Sequence, residues 1–254
     1  MHSRAGQSDY APMKSFAAAI ARVLFVALVW TSQVFGQNEG SPGVYQGRHI
    51  APVMGHQGAE WLERPERQAE ERPDVLLEAL KLKPGMSVAD LGAGTGYFTW
   101  RLGKLVAPRG SIYAVEIQQE MLDMLATNVI AHGVTNFHSV LGTVSDTRLP
   151  ANKIDLVLMV DVYHEFDHPR EMLQSIYRSL KPDGKVVFVE YRAEDPTVPI
   201  KRVHKMSVAQ VRKEAELFPL KWVETIETLP RQHIIIFQKK PTLPTPRNAS
   251  PAQR

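Results

Sequence analysis

The stretch Val88-Ala-Asp-Leu-Gly92-Ala-Gly94-Thr-Gly96-Tyr-Phe98 leaves a chain few ways to fold. Met86 to Leu91 is mostly apolar, with Asp90 next to its end, and reads as a short buried strand. Glycines follow at alternate positions, and an apolar helical pattern then runs to about Val106. Glycine is required where the backbone takes φ > 0 or approaches a ligand closely. A strand that turns directly into a helix also aims unpaired N–H groups at whatever sits on the helix N-terminus. The stretch is therefore a nucleotide-type binding loop inside an α/β chain.

Spacing narrows the ligand. A dinucleotide loop runs G-x-G-x-x-G, with a pyrophosphate on the helix N-terminus. Here the run is G-x-G-x-G, Tyr97 stands where the third glycine would be, and Asp90 lies two residues before the first. A carboxylate there repels a pyrophosphate and suits an ammonium or sulfonium. Glu116, about twenty residues past the loop, ends the next strand, where an acid accepts hydrogen bonds from ribose hydroxyls. Acid, three glycines and second acid resemble motifs I and II of the class I S-adenosylmethionine (SAM) methyltransferases. The resemblance implies SAM as cofactor, held by Asp90, Gly92, Gly94, Gly96, Glu116 and Ile117. It spans about residues 73–240. A SAM-binding module without methyl transfer is the alternative. A nicotinamide-dependent oxidoreductase is disfavoured by Tyr97 and Asp90.

The remaining pattern is that of one α/β domain. Helical spacing from Pro73 to Leu80 precedes the glycine loop. Strand Ser111–Glu116 follows it, then helix Gln118–His132, with Met121, Leu122, Leu125, Val129 and Ile130 inward and Gly133 closing it. Further strands cover Asn136–Leu141, Ile154–Val160 and Lys185–Tyr191, with a helix over Arg170–Leu180. Ser207 caps another helix, and Leu220–Thr228 and Gln232–Gln238 form a closing hairpin. The expected fold is a three-layer αβα Rossmann-like domain, its seven-stranded, mostly parallel sheet ending in an antiparallel hairpin.

Ligands in such a sheet sit beyond the carboxyl ends of the strands. Asp161-Val-Tyr163-His164-Glu165-Phe-Asp167-His168 begins there and resembles motif IV of small-molecule methyltransferases, which implies that Asp161 borders the cofactor. Asp161 can equally start a turn. His164 is the candidate base, with Glu165 to orient it or to bind a substrate cation and Tyr163 as an aromatic wall; a structural histidine is the other reading of His164. Tyr191 and Arg192 end the fifth strand, and His204 lies in the following insertion. These three are substrate candidates. Asp146 either meets the adenine amino group, as the resemblance implies, or makes a turn. No metal is expected, although the Asp161–Asp167 loop holds the residue types for one.

Composition bounds the rest. Absent cysteine excludes disulfides and zinc–thiolate sites and argues against the arsenite-methylating relatives. The formal charge is +3, and Arg4, Lys14 and Arg22 fall within residues 1–36, so the domain is nearly neutral and no nucleic-acid partner is expected. The expected acceptor is a small or lipid-like molecule. Residues 1–36 have the three-part form of a secretory signal, with small residues before a cleavage point near Gly36, and imply export to the periplasm; a start further downstream, near Met54, would leave the protein cytoplasmic. Membrane contact is expected only through that segment. Residues 37–60 read as a linker and lead-in, residues 61–240 as the domain, and residues 241–254 as a disordered Pro-rich tail. His56, Trp61 and Arg64 either lid the cofactor pocket or pack as a charged surface segment.

Overall fold

The computed structural model describes residues 43–240. The expected signal segment, the first part of the linker and the Pro-rich tail lie outside them. Within the expected linker the chain is already organised. Strands β1 (Val44–Tyr45) and β2 (Arg48–His49) pair antiparallel around Gln46-Gly47, whose φ values are 50° and 91°. Positive φ at both central residues is the turn that matches the twist of two antiparallel strands. Short helices α1 (Ala59–Leu62), α2 (Arg67–Glu71) and α3 (Pro73–Ala79) lead into the sheet.

The hairpin is held because it supplies a cation to a buried acid. Arg48 Nε and Nη2 donate to Glu214 at 2.7 and 3.1 Å, and Nη1 donates to the carbonyl of His164 at 3.1 Å. Removing one partner of a buried pair costs about 3–5 kcal/mol. Arg48→Met is therefore expected to lower the melting temperature by roughly 10 °C, a shift readable by circular dichroism.

After the lead-in, strands and helices alternate. They run β3 (Ser87–Leu91), α4 (Thr99–Val106), β4 (Ser111–Glu116), α5 (Gln119–Ala131), β5 (Phe137–Leu141), β6 (Ile154–Val160), α6 (Pro169–Ser179) and β7 (Leu180–Arg192). The chain continues through β8 (Lys205–Met206), α7 (Val208–Ala215), β9 (Leu220–Ile226) and β10 (Gln232–Lys239). Sheet order is β5-β4-β3-β6-β7-β10-β9. The first five strands are parallel to one another, and β10 runs antiparallel to both β7 and β9. This is the expected arrangement of seven strands, with β8 as a short parallel addition to β7.

Alternation along the central strands builds the layers. Val157 and Met159 of β6 pack with Met172 and Ile176 of α6, whereas Leu156 and Leu158 pack with Leu76 and Leu102 on the other face. Both faces of β6 are apolar, as a covered parallel strand requires. Ile130 departs from expectation, being 61% exposed. Helical rotation carries it about 100° from its neighbour Val129, off the inward stripe. Strand order reverses at β3, which has β4 on one side and β6 on the other. A crevice at the carboxyl ends of these strands follows from that reversal.

Candidate active site

The glycine loop lies in that crevice. Gly92, Gly94 and Gly96 have φ of 72°, 52° and 85°. A Cβ on Gly94 would sit 2.6 Å from Leu62 Cδ1, and one on Gly96 would sit 2.9 Å from Leu125 and Val129. Conformation excludes alanine at both positions, and at Gly96 the buried Leu125 and Val129 leave no space as well. Leu62 therefore places the lead-in directly over the loop. Glu63 reinforces it, accepting from Thr95 Oγ1 at 2.5 Å and from Asn128 Nδ2 at 3.2 Å.

The two acids beside the loop have different environments. Asp90 is buried and accepts from Thr99 Oγ1 at 2.6 Å. Burial pushes its carboxyl up to about 6, against the pull of Thr99 and of the nearby Arg67 cation. Glu116 is clamped by backbone: Oε1 accepts from Ile117 N at 2.7 Å and Gln118 N at 3.2 Å, and Oε2 accepts from Gly94 N at 3.1 Å. Burial raises its pKa while these three amides oppose the rise. A carboxylate has about four acceptor positions, so capacity for a ligand hydroxyl remains. Ile117 contributes through its backbone N–H.

Asp161 has φ 53°, a left-handed conformation that costs a non-glycine residue about 1–3 kcal/mol and is typically kept at functional sites. Its Oδ2 accepts from Gln232 Nε2 at 2.6 Å. Its Oδ1 is enclosed and meets no donor. Burial, with the charges of Glu71 and Glu190, holds its pKa well above the usual carboxylate range. An enclosed acceptor without a partner suits a cationic ligand group.

On the other side of the crevice His164 is 3% exposed. Its Nδ1 lies 2.6 Å from Glu190 Oε2, and Glu190 Oε1 accepts from Tyr163 N at 3.0 Å. Its Nε2 faces His204 Nδ1 at 3.1 Å and Glu165 Oε1 at 3.9 Å. Burial works against the imidazolium, yet Glu190's charge and hydrogen bond prevail and hold the His164 pKa above its usual value. Burial pushes Glu165 up to about 7, and burial together with the His164 charge pushes His204 down to about 4. Sequence reasoning brings His164, Glu165 and His204 forward separately. The fold puts them together.

Other expected site residues are used elsewhere. Tyr163 is wholly buried, with its ring against Phe166 and Phe188 and its hydroxyl on Glu214 at 2.6 Å. It anchors the core and forms no wall of the crevice. Tyr191 is buried and donates to Glu71 at 3.2 Å. Arg192 turns to the closing hairpin, bonding Glu227 at 2.8 Å and the carbonyls of Leu229 and Pro230. Asp146 accepts from Arg148 N at 2.9 Å and from Ser175 Oγ at 2.7 Å, making a turn braced against α6. Trp61 is 53% exposed, with Arg64 stacked 3.8 Å from its ring, and His56 contributes its backbone N–H to Gln118 at 2.8 Å. The segment holding these three residues covers the loop, but it does so through Leu62 and Glu63.

Glu190, Arg67 and Gln232 are site residues that sequence reasoning misses. Glu190 had a signal, as the one charge that follows the apolar run Val186–Val189. Arg67 is buried, with Glu71 at 2.7 Å and the Tyr97 ring at 4.2 Å, and nothing in its charged neighbourhood sets it apart.

Residues 89–188 match the family model described as a methyltransferase domain. That match covers the glycine loop, Glu116 and His164 together. Residues 89–188 thus form a methyltransferase domain of the class I SAM-dependent kind. Enzymes of this class use SAM as methyl donor. A methyltransferase-like protein of Schizosaccharomyces pombe is 36% identical over 139 residues, 54% of this chain and 50% of that one. A ubiquinone/menaquinone biosynthesis C-methyltransferase of Shewanella frigidimarina is 30% identical over 116 residues, 45% of this chain and 46% of its own. The chain thus spans about half the length of the curated relatives it matches. A crystal structure of a SAM-dependent methyltransferase from Aquifex aeolicus shares the fold, with a TM-score of 0.70 at 23% identity over 74% of this chain and all of that one.

The methyltransferase crevice fits SAM on the structure's own terms. Glu116 has acceptor capacity left at the end of β4, and the unpartnered Asp161 Oδ1 and buried Asp90 suit a cation.

Proposed function

We propose that this methyltransferase acts on a small or lipid-like acceptor that meets His164. The observation carrying this reading is the juxtaposition of two half-sites. The glycine loop ends β3, the Glu190–His164 pair joins the ends of β7 and β6, and these strands are neighbours. SAM brings an activated methyl group, so the protein's task is to align the partners and exclude water, effects worth about 7–11 kcal/mol. Glu190 fixes the proton on His164 Nδ1 and leaves the Nε2 lone pair to activate the acceptor. Kinship with enzymes named for quinone biosynthesis supports a lipid-like acceptor. Export rests on the sequence of residues 1–36 alone and is part of the proposal.

Calorimetry with SAM and its demethylated product, followed by transfer of labelled methyl from SAM to a cell extract, tests the reading. Binding without transfer to any extract component would leave only a SAM-binding module.

Asp90 sets a pH dependence. Its pKa of about 6 lies above the ordinary 3.8, so the fold favours the neutral form. Its contribution to stability is therefore lost as pH rises from about 4 to 6, by roughly 3 kcal/mol. Cationic SAM favours the ionised form, so affinity moves the opposite way. Calorimetry is expected to show about tenfold weaker SAM binding at pH 5 than at pH 7.5, and Asp90→Asn is expected to remove most of that difference.

A further inference from the structure

Three donor atoms from two distant parts of the chain converge beyond the end of β6. His164 Nε2, Glu165 Oε1 and His204 Nδ1 all lie within 4.8 Å of one another. The two ring nitrogens are 3.1 Å apart, and Glu165 Oε1 is 3.9 Å from each. Ligand bonds of about 2.0–2.1 Å at tetrahedral angles place donors roughly 3.3 Å apart. The imidazole pair already has nearly that spacing, and the carboxylate needs to close by only about half an ångström.

Each side chain is steadied from outside the cluster, and the hydrogen bond between His164 Nε2 and His204 Nδ1 is the contact that a cation would replace. Glu190 Oε2 takes His164 Nδ1 at 2.6 Å, Met54 N donates to Glu165 Oε2 at 3.4 Å, and His204 is carried on a single 3-10 turn, Arg202–His204. A carboxylate behind an imidazole is the usual support of a metal-bound histidine, because it fixes the tautomer and strengthens the opposite lone pair. Charge points the same way. A cation held by these three atoms would lie beside the carboxylates of both Glu165 and Glu190, the two acids that already meet His164. Arg48, which bonds the His164 carbonyl, is already paired with Glu214.

We propose that His164, Glu165 and His204 bind one divalent first-row cation of the zinc type. Two imidazole nitrogens and one carboxylate oxygen suit zinc rather than magnesium or calcium, which prefer all-oxygen sets. Three protein ligands leave a fourth position open. That position takes an oxygen of the acceptor, so the acceptor class is one bearing a hydroxyl, phenol or enol. The cation would then hold the acceptor as its oxyanion, the proton leaving to solvent as the oxygen coordinates, and that oxygen would bond the methyl carbon as the carbon–sulfur bond of SAM breaks; this step rests on the methyl-transfer reading, whereas cation binding does not.

The test uses the untagged full chain, stripped with a chelator and titrated with zinc chloride by calorimetry. One zinc per chain is expected, with Kd of about 1 µM or tighter, undisturbed by millimolar magnesium. His204→Ala and Glu165→Gln should each weaken binding about 100-fold, and Glu190→Gln about 10–100-fold. His49→Ala should leave it unchanged. His204 is partly exposed, so its variant keeps the test meaningful if a change at buried His164 unfolds the protein. No stoichiometric zinc, or zinc binding insensitive to His204→Ala, overturns the site. SAM titrated into the same sample separates the two readings: a protein that binds SAM but fails to bind zinc loses the cation site alone, and one that binds zinc but fails to bind SAM keeps the site while the methyl-transfer reading falls.

Discussion

Glu116→Ala is expected to weaken SAM binding about 100-fold or more while the domain stays folded. A hydrogen bond to a charged group is worth about 1.5–3 kcal/mol, and Glu116 has room for one from a ribose hydroxyl. The loop suffers as well, since Glu116 is the acceptor for the N–H of Gly94 at 3.1 Å and of Ile117 at 2.7 Å. Stability should move little, because the substitution also removes a carboxylate whose charged form is disfavoured by burial. Calorimetry with SAM and a thermal melt measure the two quantities separately. Affinity within a few fold of the parent would show that the cofactor does not lie over the end of β4.

Glu190→Gln is expected to damage methyl transfer nearly as much as His164→Ala, by about 10²–10⁴ in kcat. The reason is the direction of one proton. Glu190 accepts at His164 Nδ1, 2.6 Å away, and so keeps Nε2 as the lone-pair nitrogen. A glutamine can still accept from Tyr163 N through its carbonyl, but it then turns its NH₂ toward Nδ1. The imidazole answers by carrying its proton on Nε2, and the lone pair faces the wrong side. SAM affinity should stay within about threefold, since neither side chain touches the glycine loop. Rates with labelled SAM, read beside SAM affinity, check this. A variant of either residue with full activity would remove His164 from the reaction.

What could be read directly from the chain follows from how far apart its determinants lie. Asp90, the three glycines and the strand before them are contiguous, so residue type and spacing together specify the loop. The strand order is likewise legible, because a buried parallel strand such as Ile154–Val160 must be apolar on both faces. His164 is different. Its partners lie 26 residues away at Glu190 and 40 residues away at His204, and only the sheet brings them together. Tyr163 and Arg192 show the converse limit. Their places at strand ends suggest access to the crevice, but a hydroxyl aimed at buried Glu214 and a guanidinium aimed at the Leu229–Pro230 carbonyls are set by distant residues.

The lead-in crosses both halves of the site within a dozen residues. Ala51 N bonds the His164 carbonyl at 3.0 Å, Met54 N meets Glu165, the Gln118 side chain grips Met54 O at 2.9 Å and His56 N at 2.8 Å, and Leu62 rests on Gly94. A ligand that shifts Leu62 therefore pulls on the same length of chain that steadies Glu165. The glycine loop and the His164 cluster share one strap, and a donor that displaces Leu62 is expected to shift Glu165 as well. Ordered binding, donor before acceptor, is the expected kinetic consequence of that covalent connection.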